Sequence, residues 1–421
     1  MTFTSTQYLV KPDVAVARIR TRWRDSRQKA NADVGRLFRP ISTGRRMARA
    51  ARTRHGAGNT LTLLHDIEWE TPLIEPYRDP DAEALMRKKY GFVMDSVAFY
   101  SRSPWIVRSQ VRFDIQRGVL VHVDVDLAEI IGLVVSQDNS CRFCYAAWRS
   151  LLRFQGYSES RIQRLEENLD AALSPSDRVA VDFARRVSRA NPIPSRAEWR
   201  PLEAAGFEPG AIKELAFLAV LNVYYNRLAT LLAVPIASIE EAGKNARHGW
   251  ARPILRWYAR CRRRRGCAAP LPAERRTGPF SPAVLALDGL PVALALRDVI
   301  DDAWSSSTLP LRTKAFVFAV VARSLGSDWA ERHARATLLA EGMTERGCEE
   351  LLAHLSGAEL TPAEAALGPL VRETVWYHAT SLQRHAHRVR PRFSAEEFLE
   401  FVGIAALANA VCRLSALADD R

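Results

Sequence analysis

The sequence predicts an all-α protein, two helical domains in tandem behind a basic N-terminal extension, and three observations carry that expectation. From Ala82 to Ala418 apolar residues recur at helical spacing, with no long alternating run to compete. Residues that start and stop helices punctuate the pattern. The chain also resembles itself at a separation of about 186 residues.

The periodic stretches are clear in Val179, Val181, Phe183, Ala184 and Val187, and again in Phe398, Phe401, Val402 and Ala405. Ser174-Pro175 supplies an N-cap followed by proline at the first helical position, while Gly156 and Gly206 stand where helices should stop. The longest apolar run, Ala216 to Val234, contains Asn222, Asn226 and Arg227, which are costly at a bilayer centre, so it reads as a buried core helix with a polar end. Val119 to Val125 is the one ambiguity, either a short strand or the lead-in to the next helix.

The repeat pairs Gly156-Tyr157 with Gly342-Met343, and Leu173-Ser174-Pro175 with Leu360-Thr361-Pro362. Phe207, Glu214 and Arg227 answer to Phe393, Glu400 and Arg413. The expected organisation is a basic segment over 1–60, partly disordered, a helical domain over 61–242, an Arg- and Pro-rich linker over 243–280, and a second helical domain over 281–421.

Lys and Arg number 60 against 47 Asp and Glu, a net charge of +13. The excess is concentrated between Arg18 and Arg54 and between Arg252 and Arg265. Such runs can meet nucleic-acid phosphates or an anionic membrane surface, but neither carries a groove-reading motif, and the prevailing reading is a solvated tail and linker. The first twenty residues lack the apolar core of a secretory signal, and six cysteines with one close pair do not make a disulfide framework. A reducing, cytoplasmic compartment is expected.

That close pair carries the chemistry. Cys141-Arg142-Phe143-Cys144 follows the turn-and-cap sequence Asp138-Asn139-Ser140 and precedes residues of helical character, which puts both sulfurs in the first turn of a helix. Orphan N–H groups and the positive helix end there favour thiolate, and Arg142 adds charge. Zinc would need two more ligands, for which Cys261 and Cys267 are poorly spaced, and the bland alternative is two small buried hydrophobes. No metal or cofactor is expected.

Glu129 lies twelve residues before Cys141, and with this Glu-x11-Cys-x-x-Cys pattern the chain resembles the alkylhydroperoxidase D and carboxymuconolactone decarboxylase superfamily. The resemblance extends through Tyr90-Gly91-Phe92, Ser103-Pro104, Leu173-Ser174-Pro175, Phe207-Glu208-Pro209-Gly210 and Asn226-Arg227, covering 79–237 well and the second half weakly. It implies an all-α fold, subunit assembly into a homo-oligomer, and a hydroperoxide or disulfide substrate reduced at the expense of an external thiol. By motif position it makes Cys144 the peroxidatic residue, Cys141 the resolving one, and Glu129 part of a proton relay. Where those relatives place a histidine four residues after the second cysteine, this chain has Trp148, whose indole accepts no proton. His122 is the nearest histidine in sequence.

At the repeat offset Cys141, Cys144, Trp148 and Glu129 fall on Ser327, Ala330, Ala334 and Ala315, so the second copy is expected to serve packing and assembly. Cys348 and Cys412 are expected to be buried, and His378, His385 and His387 to form a solvated face. The expected function is a thiol-dependent peroxidase or disulfide oxidoreductase. The alternatives are a non-catalytic helical scaffold and a lactone decarboxylase, against which the cysteine pair argues.

Overall fold

A computed structural model describes residues 64, 67–91, 93–116, 118–236 and 265–418, and among them every regular element is helical. The arginine run of the N-terminus, Cys261 and Arg252–Arg264 lie outside the described residues. Among the described residues nine α-helices form the first set: α1 (Pro80–Tyr90), α2 (Pro104–Arg112), α3 (Val125–Asp138), α4 (Arg142–Phe154), α5 (Glu159–Glu167), α6 (Leu169–Ala172), α7 (Pro175–Arg189), α8 (Arg200–Ala204) and α9 (Pro209–Leu231). The second set comprises α10 (Ser281–Leu285), α11 (Pro291–Ser305), α12 (Leu311–Ser324), α13 (Asp328–Ala340), α14 (Glu345–His354), α15 (Pro362–Trp376), α16 (Ala379–Val389) and α17 (Ala395–Ala418).

The repeat is visible in where helices begin. Starts at 125, 142, 159 and 209 recur at 311, 328, 345 and 395, an offset of 186 each time. The caps recur with them. Ser174 accepts from the Asp177 N–H with Pro175 at the first helical position, and Thr361 does the same for Glu364 within a full capping box. Each cap stabilises its helix start by about 1 kcal/mol. Gly156 and Gly342 take the left-handed conformation that ends α4 and α13, at φ 90° and 88°.

The stretch 119–125 forms no strand. The backbone N–H groups of Val121, His122 and Val123 instead converge on the buried carboxylate of Glu214 on α9, which satisfies them without a ladder and leads the chain into α3. At the matching position of the second copy, Glu400 accepts from the Ser103 hydroxyl at 3.1 Å and the Trp105 indole at 2.6 Å, both in the first set. The end of the expected linker is also built into the fold: Phe280 is fully buried and stacks on Phe318 at 4.1 Å.

The two sets share one apolar core, whose centre is α9 against α17. Helix α17 is long and apolar enough to cross a membrane, with mean hydropathy 1.7, and 89% of that window is buried inside the protein. Two arginines at matching positions clamp the halves together. Arg227 donates to the carbonyls of Thr374 and Val375 at the end of α15, at 2.7 and 3.2 Å. Arg413 reciprocates with the Val187 carbonyl at 3.1 Å and the Ser188 carbonyl at 3.5 Å, at the end of α7, and reaches Val375 as well at 2.8 Å.

Neither guanidinium touches solvent, and burial pushes both below their ordinary basicity, Arg227 to about 9. Their compensation is the negative end of a helix, where carbonyls lack intrahelical donors. Replacing Arg413 by methionine keeps the volume but leaves buried carbonyls unmet, for an expected loss of about 3 kcal/mol in denaturant unfolding. Arg227→Met and Arg413→Met together should cost less than their sum, because both guanidiniums lean on the Val375 carbonyl and repel one another.

Candidate active site

The turn before the cysteines is a Schellman closure. The Cys141 N–H returns to the Ser136 carbonyl at 2.9 Å, the Ser140 N–H to Gln137 at 3.0 Å, and Ser140 between them takes φ 53°. Gly326 holds that place in the second copy at φ 58°, and Ser327 repeats the return bond to Ala322 at 2.9 Å. The motif ends α3 and delivers Cys141 directly as the N-cap of α4, with Cys144 three residues inside. The helical placement expected for both sulfurs is therefore what the structure shows.

Both are free thiols packed against α9. Cys141 is fully buried and Cys144 is 5% exposed. The Cys141 sulfur lies 3.8 Å from the Asn226 carbonyl, and Cys144 donates to the Tyr225 carbonyl at 3.5 Å. Behind them the Asn139 amide joins the Ser188 hydroxyl and the Asn226 side chain, each at 2.8 Å, and Asn226 donates to the Ser136 hydroxyl at 3.1 Å. This network holds the ends of α3 and α7 to α9. Arg142 is turned away from the sulfurs, its guanidinium donating to the Ile67 carbonyl at 3.0 Å. The chain following Ile67 crosses the end of α9 through Trp69 to Val234 and Leu73 to Leu232, both at 3.1 Å.

The two thiols are pushed apart in acidity. Burial works to raise Cys141, but the polar surroundings made by Cys144, Thr230 and Tyr377 outweigh it and lower it. Cys144 is raised well above the ordinary thiol value, first by burial and then by the neighbouring Cys141 sulfur. Cys141 is therefore the more acidic of the two. This order is the reverse of the roles that motif position implies.

Tyr377 is the residue that sequence reasoning missed. It follows α15 in the second set, in the left-handed conformation at φ 53°, yet its hydroxyl meets the Thr230 hydroxyl and donates to the Asn226 carbonyl at 3.1 Å. The second copy is thus more than packing and assembly, because it contributes a group to the thiol site. Only the repeat offers a signal for it: Ala190 holds the matching place after α7, also left-handed at φ 50°.

Glu129 and the thiols occupy opposite ends of the α3–α4 interface. The Glu129 carboxylate accepts from Gln116 and from Gln155, the latter at 3.1 Å, and sits about 10 Å along α3 from Ser136, which receives the Cys141 N–H. Trp148 fills the space between, lying so close to Gly132 that a Cβ there would come within 2.3 Å of the ring. A relay from Glu129 to sulfur is therefore interrupted by an indole. His122 does not replace it, since its exposed ring lies over Gly210 at the start of α9.

The remaining cysteines and histidines lie elsewhere. Cys348 and Cys412 are buried in the second set, and Cys267 is exposed, so it cannot share a metal with the buried pair. His385 pairs with Glu373 at 2.8 Å, while His378 and His387 face solvent. Comparison with known protein families, curated proteins and solved structures finds no match.

The second copy keeps the volume of the α3–α4 contact by exchanging sides: Phe318 and Ala334 stand where the first has Gly132 and Trp148. Gly132→Ala alone should lower stability by about 1–3 kcal/mol through overpacking. Adding Trp148→Phe should recover part of that loss, a favourable coupling readable in a double-mutant cycle of denaturant midpoints.

Proposed function

We propose that the chain is a dithiol redox protein of the alkylhydroperoxidase type, reducing small hydroperoxides in a reducing cytoplasmic compartment. The observation that carries this reading is a pair of free thiols brought together at the start of α4 and buried against α9, with Cys141 the more acidic of the two. That is the state a peroxide-reducing pair needs before the oxidant arrives.

The chemistry follows from that state. The Cys141 thiolate attacks the terminal oxygen of the hydroperoxide, the O–O bond breaks, and the departing alkoxide takes the Cys144 proton to leave as alcohol. Cys144, now thiolate, attacks the Cys141 sulfenic acid, and hydroxide leaves and is protonated to water by solvent. The two thiols supply the two electrons, the product is the Cys141–Cys144 disulfide, and an external thiol reductant restores the pair by exchange. The burial of both sulfurs favours a small oxidant over a protein disulfide. Glu129 serves in this scheme as a buried anchor for Gln116 and Gln155, and protons move between the thiols themselves.

Trp148 favours a second reading, a helical scaffold whose site no longer turns over, because it stands where a relay base would act. One experiment separates the two. After one equivalent of peroxide, mass spectrometry of the full chain should show a Cys141–Cys144 disulfide. Cys144→Ser should instead trap a sulfenic acid on Cys141, and Cys141→Ser should react at least about tenfold more slowly, because its remaining thiol stays protonated at neutral pH. Thiols unchanged by peroxide would establish the scaffold.

A further inference from the structure

We infer that the exposed sides of α15 and α16 form a docking face for an anionic lipid surface, with Trp376 as its interfacial anchor. The dithiol plays no part in it. On α15 the residues turned outward are Ala365, Pro369, Arg372 and Trp376, spaced as one side of a helix, and Trp376 is 42% exposed at its end. On α16 Arg384, His387 and Arg388 are exposed together, and Arg392 follows in the next turn. The two helices lie side by side, since Glu373 of α15 meets His385 of α16 at 2.8 Å.

The first copy shows the same helix side with its charges paired. Counted from the helix starts at 175 and 362, Ala365, Pro369, Arg372 and Trp376 answer to Arg178, Asp182, Arg185 and Arg189 of α7. There all four are in ion pairs: Arg178 with Asp182 at 2.8 Å, and Arg185 and Arg189 with Asp138 at 2.6 and 2.8 Å. In the second copy Pro369 replaces Asp182, and Ser324 stands where Asp138 does. The acids are gone, an arginine stays, and a tryptophan is added. Among the described residues no carboxylate lies within ion-pair distance of Arg372, Arg384, Arg388 or Arg392. Glu373 is taken by His385, and Glu70, whose N–H meets Gln383 at 3.2 Å on the other edge of α16, pairs with none of the four.

Charge and apolar surface together select the occupant. Unpaired arginines attract any polyanion, but an exposed indole in line with Pro369 and Ala365 suits the headgroup level of a bilayer, where tryptophan rests and arginines reach phosphates. Neither helix exposes an Asn or Gln that could read a base edge. The arginine-rich stretch 18–54 precedes 67–73 in sequence, and 67–73 runs along α16 through the Gln383 contact and the Arg390 bond to the Leu73 carbonyl at 3.0 Å. Being of like sign, that stretch has no electrostatic reason to cover the face.

The test is co-sedimentation of the full chain with phosphatidylcholine vesicles, with and without phosphatidylserine, at low and high salt. Binding should require phosphatidylserine and weaken with salt. Replacing both exposed arginines, Arg384→Gln with Arg388→Gln, should lower partitioning at least about tenfold, at about fivefold for each. Brominated acyl chains should quench tryptophan emission of the bound protein, and Trp376→Phe should remove that quenching. The inference is overturned by absent binding, by equal binding to neutral vesicles, or by quenching unchanged in Trp376→Phe. Binding that ignores the paired arginine substitution would assign the lipid contact to the N-terminal arginines instead, and binding to an oligonucleotide but not to vesicles would make the face a nucleic-acid surface; either result also overturns it.

Discussion

The reciprocal arginine clamp is the constraint on which the rest of the structure depends. Arg227 and Arg413 each leave their own half and satisfy the terminal carbonyls of a helix in the other, with no carboxylate between them. A buried guanidinium without an anion is costly, and here the cost is offset by carbonyls that would otherwise be unpaired. Because each arginine answers to the other half's helix end, neither half can satisfy its buried polar groups alone. The same two helix ends turn into left-handed residues, Ala190 and Tyr377, so the clamp that joins the halves also fixes what reaches across the joint.

Much of the fold was legible because its signals are local. Ser174-Pro175, Gly156 and the apolar run through α9 each specify their own element within a few residues, and the structure places a cap, a stop and a buried helix there. The repeat was legible for the same reason, since capping and stop residues recur at a fixed separation. The cysteine placement also followed from local chemistry, as Asp138-Asn139-Ser140 closes one helix and opens the next on Cys141.

What stayed hidden were the interactions made between separate elements of the fold. Tyr377 lies 147 residues from Thr230 and 151 from Asn226, and no pattern in the chain links them. The acidity order of the thiols was illegible for that reason, because two of the groups that lower Cys141 come from Thr230 and Tyr377. The fate of 119–125 depended on Glu214, more than 90 residues away, whose carboxylate consumes the N–H groups a strand would have paired. The place of Glu129 turned on Trp148 and Gly132, whose contact is a matter of volume rather than of motif.

The asymmetry of the two copies then has a physical sense. Two equivalent thiol sites on either side of one core would each require hydroxyl donors, desolvated sulfurs and a reaching tyrosine, all of them polar groups that destabilise a core unless fully paired. The second copy carries no cysteine pair at the matching positions and packs Phe280, Trp304 and Phe318 around His333 near its α12–α13 contact. Its Tyr377 hydroxyl points into the other half. The apolar packing of the second copy stabilises the shared core in which the polar site of the first is held, and Arg227 and Tyr377 tie the two together at the Asn226 carbonyl beside Cys141.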